Sequence, residues 1–79
     1  MPRYRCGQHT YDRMNQRGIW HEHLEVVLSG PTSTHNDPSQ DSVRLDAQVD
    51  GRLLKVWVVA PWPPKPGRTV VVKSAAWKD

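Results

Sequence analysis

The segment from residue 43 to residue 59 constrains the fold most strongly. Residues 43–49 alternate strictly between apolar and polar side chains, which is the pattern of a β-strand with one buried face. Asp50-Gly51 follows at once and suits the two-residue type I′ turn of a hairpin. Residues 53–59 are apolar on both faces, which indicates a partner strand in a central position.

The C-terminal part predicts one more strand and an irregular segment. Residues 61–67 read Pro-Trp-Pro-Pro-Lys-Pro-Gly, and because proline cannot donate to a β-ladder we predict a flexible loop over residues 60–67. Residues 68–74 contain three consecutive valines and are predicted as a third strand, followed by a short tail over residues 75–79. Residues 3–6 are a candidate for a short edge strand.

Two short helices are predicted before the hairpin. Residues 8–17 place Tyr11 and Met14 on one face at i, i+3 spacing, and Gly18 then suits a left-handed helix end. Residues 21–29 have a second apolar face, formed by Leu24, Val27 and Leu28. Residues 32–41 offer nothing apolar to bury and are predicted as a flexible loop.

These elements predict one small α+β domain over residues 1–79, in which two N-terminal helices pack on a three- to four-stranded antiparallel sheet. A chain of 79 residues buries only a modest core. The single cysteine, Cys6, excludes an internal disulfide. No activating base is evident near Cys6 in the sequence, so we expect a bystander thiol and not a nucleophile.

Charge narrows the classes of partner. Lys and Arg outnumber Asp and Glu by 11 to 8, which suits a polyanion such as RNA or DNA, or an acidic protein. The basic residues concentrate near the two ends of the chain, so a fold that joins the ends would gather them. The longest apolar run, residues 56–61, is too short to cross a bilayer, and no apolar segment of a signal peptide follows the charged start. We therefore expect a cytoplasmic protein with no membrane partner.

One helix face carries residues suited to catalysis on RNA. His9, Arg13 and Arg17 recur at i, i+4 and i+8, which places them in one stripe. Histidine can take or give a proton near neutral pH, and arginine can stabilise the charge of a phosphate in the transition state. The stripe therefore predicts catalytic residues of a metal-free ribonuclease. The alternative is a solvated helix face, with Asp12 paired to an arginine.

Further RNA contacts are predicted on the strands and the C-terminal tail. Lysine and arginine on an open sheet face can bind phosphates or simply keep the sheet soluble, and a tryptophan can stack on a base or fill the core. The residues predicted to bind RNA are Arg52, Lys55, Lys73, Trp77 and Lys78. The spacing of His21, His23 and His35 does not suit a metal site, so we expect neither a metal nor another cofactor.

Residues 9–19 read H-T-Y-D-R-M-N-Q-R-G-I and resemble the opening H-x-x-x-R-M-x-x-R-G-I of a family of small bacterial domains of unknown function. Residues 20–28 are similar to that family's second helix, S-x-x-D-V-x-x-V-L, although Trp20 stands at the position of the serine. Residues 51–59 are similar to its strand G-R-x-L-x-V-V-V. The resemblance covers most of residues 9–75, and the loop over residues 60–67 is richer in proline than the family pattern.

That family is similar to the RelE and BrnT toxins, which belong to a wider ribonuclease group with barnase and the colicin tRNases. The resemblance implies a compact RelE- or barnase-like fold and metal-independent cleavage of RNA by attack of the 2′-hydroxyl. It also implies RNA as substrate, with mRNA and ribosome-bound RNA as candidates, and an antitoxin or immunity protein as a candidate partner. The alternative is a non-catalytic module that binds nucleic acid or protein through the same basic face.

Overall fold

The computed structural model describes residues 3–78. The elements in chain order are β1 (Tyr4–Cys6), α1 (Gln8–Gln16), α2 (His21–Ser29), β2 (Ser33–Asp37), a 3₁₀ turn (Pro38–Gln40), β3 (Ser42–Val49), β4 (Arg52–Val59) and β5 (Val70–Trp77). The strands form one sheet in the order β1-β5-β4-β3-β2. Strand β1 is parallel to β5 and all other neighbours are antiparallel, so the fold is α+β with a mixed sheet.

The central hairpin is confirmed. Strands β3 and β4 pair from Ser42–Val59 at one end to Val49–Arg52 at the other. Asp50 and Gly51 both have positive φ angles, 53° and 79°, as the two central positions of a type I′ turn require. Both predicted helices are also present and both lie on one face of the sheet, because Met14 and the apolar face of α2 belong to the same core as the inward side chains of β3, β4 and β5.

The prediction of three to four antiparallel strands was wrong, and the first reason is β2. The segment 32–41 was expected to be a loop throughout, but Ser33–Asp37 pairs with β3. All five of its side chains are exposed, so this edge strand is held by backbone hydrogen bonds and needs no apolar side chain. A polar edge strand therefore has no hydrophobic pattern by which sequence could identify it. The flexibility expected of this segment and of residues 60–67 stays a prediction, although residues 60–67 contain no helix or strand.

The second reason lies at the other edge. The short strand expected over residues 3–6 is present as β1, but it pairs in parallel with β5, Tyr4 opposite Val70. Strand β5 also runs further than expected, because the predicted tail pairs with β4 through Ala75 and Trp77. Residue 79 of that tail, and residues 1 and 2, lie outside the described residues.

One inward position was also wrong. Tyr11 was expected to point into the core with Met14, but Tyr11 is 38% exposed and Met14 only 2%. The Tyr11 ring instead lies beside α2, 5.6 Å from the His21 ring. Because α1 buries Met14 alone, most of its surface is open to solvent.

Candidate functional site

The predicted stripe of His9, Arg13 and Arg17 is closest to the sheet at Arg17 and furthest from it at His9. At about 100° per residue, Arg17 lies about 60° from the buried Met14, Arg13 about 100° and His9 about 140°. All three side chains of the stripe are classed as exposed. Arg17 therefore borders the sheet, whereas His9 faces solvent.

Arg17 completes the edge of strand β5. Its Nη1 donates to the backbone oxygen of Ala75 at 2.7 Å, and Thr10 Oγ1 donates to the backbone oxygen of Lys73 at 3.0 Å. Strand β1 pairs with β5 only as far as Val72, so these two carbonyls lie where the sheet has no further strand. An unpaired backbone group that is shielded from water costs free energy. Arg17 and Thr10 therefore replace the missing strand, and Arg17 has a structural role that the sequence did not indicate.

The Trp77 side chain of β5 forms a second contact with Arg17, through the Arg17 backbone. Its Nε1 donates to the backbone oxygen of Arg17 at 3.0 Å, which satisfies a carbonyl at the end of α1. The Arg52 guanidinium carbon lies 4.5 Å from the centre of the Trp77 ring, a cation–π contact. The His23 ring meets Trp77 edge-on at 5.2 Å. A base could stack on this face of Trp77 only by displacing Arg52.

The His23 side chain caps the start of α2, where Trp20 is the residue before the helix. Its Nδ1 accepts a hydrogen bond from the Trp20 backbone N–H at 3.0 Å, which is the contact that a glutamate makes from the same helical position in a capping box. This bond leaves the proton of the neutral imidazole on Nε2, which lies 3.4 Å from Asp50 Oδ2.

We call the cluster of Arg17, Arg52, Trp77 and Lys78 the Trp77 corner. The backbone N–H of Lys78 donates to Leu53 O at 2.9 Å, which places Lys78 beside the start of β4 with its side chain exposed. The fold thus brings Arg17, from the N-terminal part of the chain, next to Trp77 and Lys78 at the C-terminal end. Four of the eight predicted site residues meet here.

Lys55 and Lys73 lie on the other face of the sheet. Lys55 stands between Leu54 and Val56, which are buried under the helices, so alternation directs it to the open face. The Lys73 side chain also crosses the open face, where its Nζ donates to Gln40 O at 3.1 Å. Neither lysine joins His9 at a common point.

His9 and Arg13 remain available for a ligand. Within residues 3–78 neither side chain makes a hydrogen bond or an ion pair. The alternative pairing of Asp12 with an arginine is not formed, because Asp12 Oδ1 accepts a hydrogen bond from Gln8 Nε2 at 2.9 Å. Of the predicted stripe, two members are therefore open and the third is anchored.

Two other reactive groups are held in unreactive forms. Burial raises the pKa of the Cys6 thiol, which disfavours the thiolate and agrees with a bystander cysteine. Burial, followed by the charges of Glu25, Cys6 and Glu22, raises the pKa of Tyr4. Its hydroxyl shares a hydrogen bond of 2.7 Å with His21 Nδ1.

Sequence reasoning missed a second polar cluster, formed on the open face by His35, Arg44, Asp46 and Trp57. Arg44 and Asp46 lie two residues apart on β3, and the strand register places His35 of β2 and Trp57 of β4 on either side of Arg44. The alternation that predicted the buried face of β3 also defines this opposite face, so the signal was present for Arg44 and Asp46, whereas Trp57 lies on β4, which is apolar on both faces. The signal was absent for His35, because β2 has no hydrophobic pattern.

Comparison of the chain with family models, curated proteins and solved structures finds no match. In the described part of the chain, no three His, Cys, Asp or Glu side chains converge as metal ligands would. No helix there is long and apolar enough to span a membrane.

Proposed function

We propose that the protein binds RNA through the exposed side of α1 and the Trp77 corner, and that it cleaves the RNA without a metal ion, as the toxin ribonucleases that it resembles do. The observation that carries the proposal is the state of the α1 stripe. His9 and Arg13 are exposed and unengaged, one helical turn apart, next to an arginine whose position is fixed by a hydrogen bond to Ala75 O.

Phosphate binding follows from the geometry of the arginines. A guanidinium has five N–H donors in a planar fork, so Arg17 keeps donors free after its bond to Ala75 O. Because that bond already orders the Arg17 side chain, less conformational entropy is lost when a phosphate binds. Arg13, Arg52 and Lys78 add positive charge on either side of Arg17 without any carboxylate within 4.0 Å among residues 3–78.

Cleavage would start at His9. Its neutral imidazole takes the proton of a ribose 2′-hydroxyl, and the 2′-oxygen attacks the adjacent phosphorus. As the new O–P bond forms, the bond from phosphorus to the 5′-oxygen breaks, and that oxygen takes a proton from water. Arg13, one turn away on the same face, stabilises the charge of the pentacoordinate phosphorus. The products are a 2′,3′-cyclic phosphate and a 5′-hydroxyl end.

A non-catalytic RNA-binding module is the second candidate, and one observation favours it. No side chain within residues 3–78 forms a hydrogen bond with the His9 ring, whereas a catalytic histidine is commonly oriented by a neighbouring group. Binding requires only the positive face, and it leaves Arg17 free to serve mainly as a structural residue. The two candidates agree on the binding surface and differ on the chemistry.

The deciding experiment incubates the purified protein with single-stranded RNA in EDTA and analyses the end groups. Cleavage that yields 2′,3′-cyclic phosphates, stops with 2′-O-methylated RNA and falls about 10²- to 10⁴-fold in His9→Ala supports the enzyme. Gln16→Ala is the matched control, because Gln16 is exposed on the same helix and carries no charge. If the RNA stays intact but binds in a salt-dependent way, the non-catalytic binding module is supported. If the protein neither cleaves nor binds RNA, the proposal is refuted.

A further inference from the structure

The face of the sheet opposite the helices carries a polar row. The strand register places His35 opposite Arg44, Arg44 opposite Trp57, and Trp57 opposite Ser74. Adjacent strands lie about 4.8 Å apart, so this row crosses roughly 14 Å of the sheet. Neither helix covers it, because α1 and α2 both pack on the other face.

A buried carboxylate organises one end of the row. Asp46 is 5% exposed, and its Oδ2 accepts from Ser33 Oγ at 3.3 Å and Arg44 Nη2 at 3.2 Å. His35 Nε2 lies 3.4 Å from the same oxygen. A buried carboxylate is tolerated only when such partners surround it. Asp46 therefore holds Arg44 in a fixed position, with the exposed His35 ring beside it.

A groove lies at the β4–β5 end of the row, beside Trp57 and Ser74. It has a volume of about 350 Å³ and is lined by Asp37, Gln40, Ser42, Trp57, Lys73 and Ser74. Lys73 enters it because of a β-bulge. Val58 pairs with Val72 and Trp57 with Ser74, so Lys73 is the extra residue between them.

Trp57 differs from Trp77 in what its ring contacts. Trp77 is covered by Arg52 and His23, and its N–H is used. Trp57 is partly exposed, and among the described residues no aromatic ring or cation stacks on it and no acceptor takes its N–H. An aromatic ring that is open on a sheet surface is the usual platform for an unpaired base.

The charges of this face complement a phosphate chain. Lys55 and Lys73 are not paired with any carboxylate in the described part of the chain, and Asp46 is already neutralised by Arg44. Asp37 is the acidic residue in the groove, where its Oδ1 accepts a hydrogen bond from Ser39 Oγ at 2.7 Å. Positive side chains around an aromatic platform are the combination by which proteins hold single strands.

We propose that this groove binds a single-stranded nucleic acid, with one base stacked on Trp57 and a neighbouring phosphate held by Lys73. Asp46, whose charge Arg44 neutralises, does not repel the strand. This binding site is separate from α1 and the Trp77 corner, and it requires no cleavage.

The test titrates the ¹⁵N-labelled protein with hexauridylate that is 2′-O-methylated, so that cleavage cannot interfere. The indole N–H signal that is lost in Trp57→Leu identifies Trp57, and in the wild type this signal should shift on binding. Trp57→Leu should weaken binding roughly ten- to hundredfold, with partial recovery in Trp57→Phe. Lys73→Gln, at an exposed position, should weaken binding and reduce the slope of log affinity against log salt by about one.

Lys65→Gln removes a lysine that does not line the groove and should bind as the wild type does. An unmoved Trp57 signal, or wild-type affinity in both Trp57→Leu and Lys73→Gln, would overturn the proposal. A dimer in sedimentation velocity that dissociates in Trp57→Leu would also overturn it, because a second copy would then occupy the face. Failure of the proposed RNA binding at α1 can be distinguished from failure at the groove. In that case Arg13→Gln would bind RNA as the wild type does, while the Trp57 signal would still shift.

Discussion

Replacing Arg17 by methionine tests whether this residue is structural, catalytic or both. The methionine keeps most of the length of the aliphatic stem, but it removes the donor to Ala75 O. A hydrogen bond from a charged donor contributes about 1.5–3 kcal/mol when the acceptor is left unpaired. Because this bond is only partly buried, water can reach the carbonyl, and we expect a loss of about 1–2 kcal/mol.

The assay is urea unfolding followed by tryptophan fluorescence and circular dichroism. For a domain of this size, with a slope near 1 kcal/mol per molar urea, the midpoint should fall by roughly 1–2 M in Arg17→Met. Arg13→Met is the matched control, because Arg13 is exposed on the same helix and its loss should change stability by less than about 0.5 kcal/mol. Arg17→Lys should recover part of the difference, since an ammonium can donate one bond to the carbonyl.

Equal midpoints for Arg17→Met and Arg13→Met would refute the edge-capping role of Arg17. The Trp77 bond should survive in either case, because its acceptor is the backbone oxygen of residue 17. This comparison also decides how activity data are interpreted. A loss of RNA cleavage in an Arg17 variant is evidence for catalysis only if the same variant is folded under the conditions of the assay.

Three further measurements test other parts of the structure. Gly51→Ala should destabilise the fold by about 1 kcal/mol or more in thermal unfolding, because Gly51 has φ of 79°. Tyr4 has a raised pKa in the folded state, so the unfolded chain loses this proton first, and stability should fall as the pH rises above about 10; Tyr4→Phe should lose that dependence. Alkylation of Cys6 should be slow at neutral pH and should still increase above the pH where a free thiol reaches its maximum rate, because the thiol pKa is raised.

Local signals predicted the centre of the fold well. The β3–β4 hairpin and the two helices depend on alternation, turn residues and helical spacing, which neighbouring residues determine. The edges of the sheet were not predictable in this way. Strand β2 has only polar side chains, and the parallel pairing of Tyr4 with Val70 joins residues that are far apart in the chain.

The candidate site shows the same division. The sequence predicted that His9, Arg13 and Arg17 share one side of a helix, and the structure has His9 and Arg13 in α1 and Arg17 at its C-terminal cap. The sequence could not indicate that β1 stops at Cys6. This end of β1 leaves two carbonyls of β5 without a strand partner, and Arg17 and Thr10 donate hydrogen bonds to them. The sequence also could not indicate that a bulge moves Lys73 onto the open face.

The two proposed binding surfaces lie on opposite faces, and the edge of β5 connects them. Arg17 meets this edge at Ala75 O, and Lys73 leaves it for the groove, so a single strand that contacts both surfaces must pass around residues 73–77. Short 2′-O-methylated uridylates should then bind at two independent sites. A longer oligonucleotide should bind one per protein, with an affinity that rises about 10²- to 10⁴-fold at the length that spans both surfaces. Arg13→Gln and Trp57→Leu should each remove that increase, because either variant leaves only one attachment. Calorimetric titration with oligonucleotides of increasing length measures both the stoichiometry and the affinity. A stoichiometry that stays at two, with only a gradual rise in affinity, would show that the two surfaces bind separately.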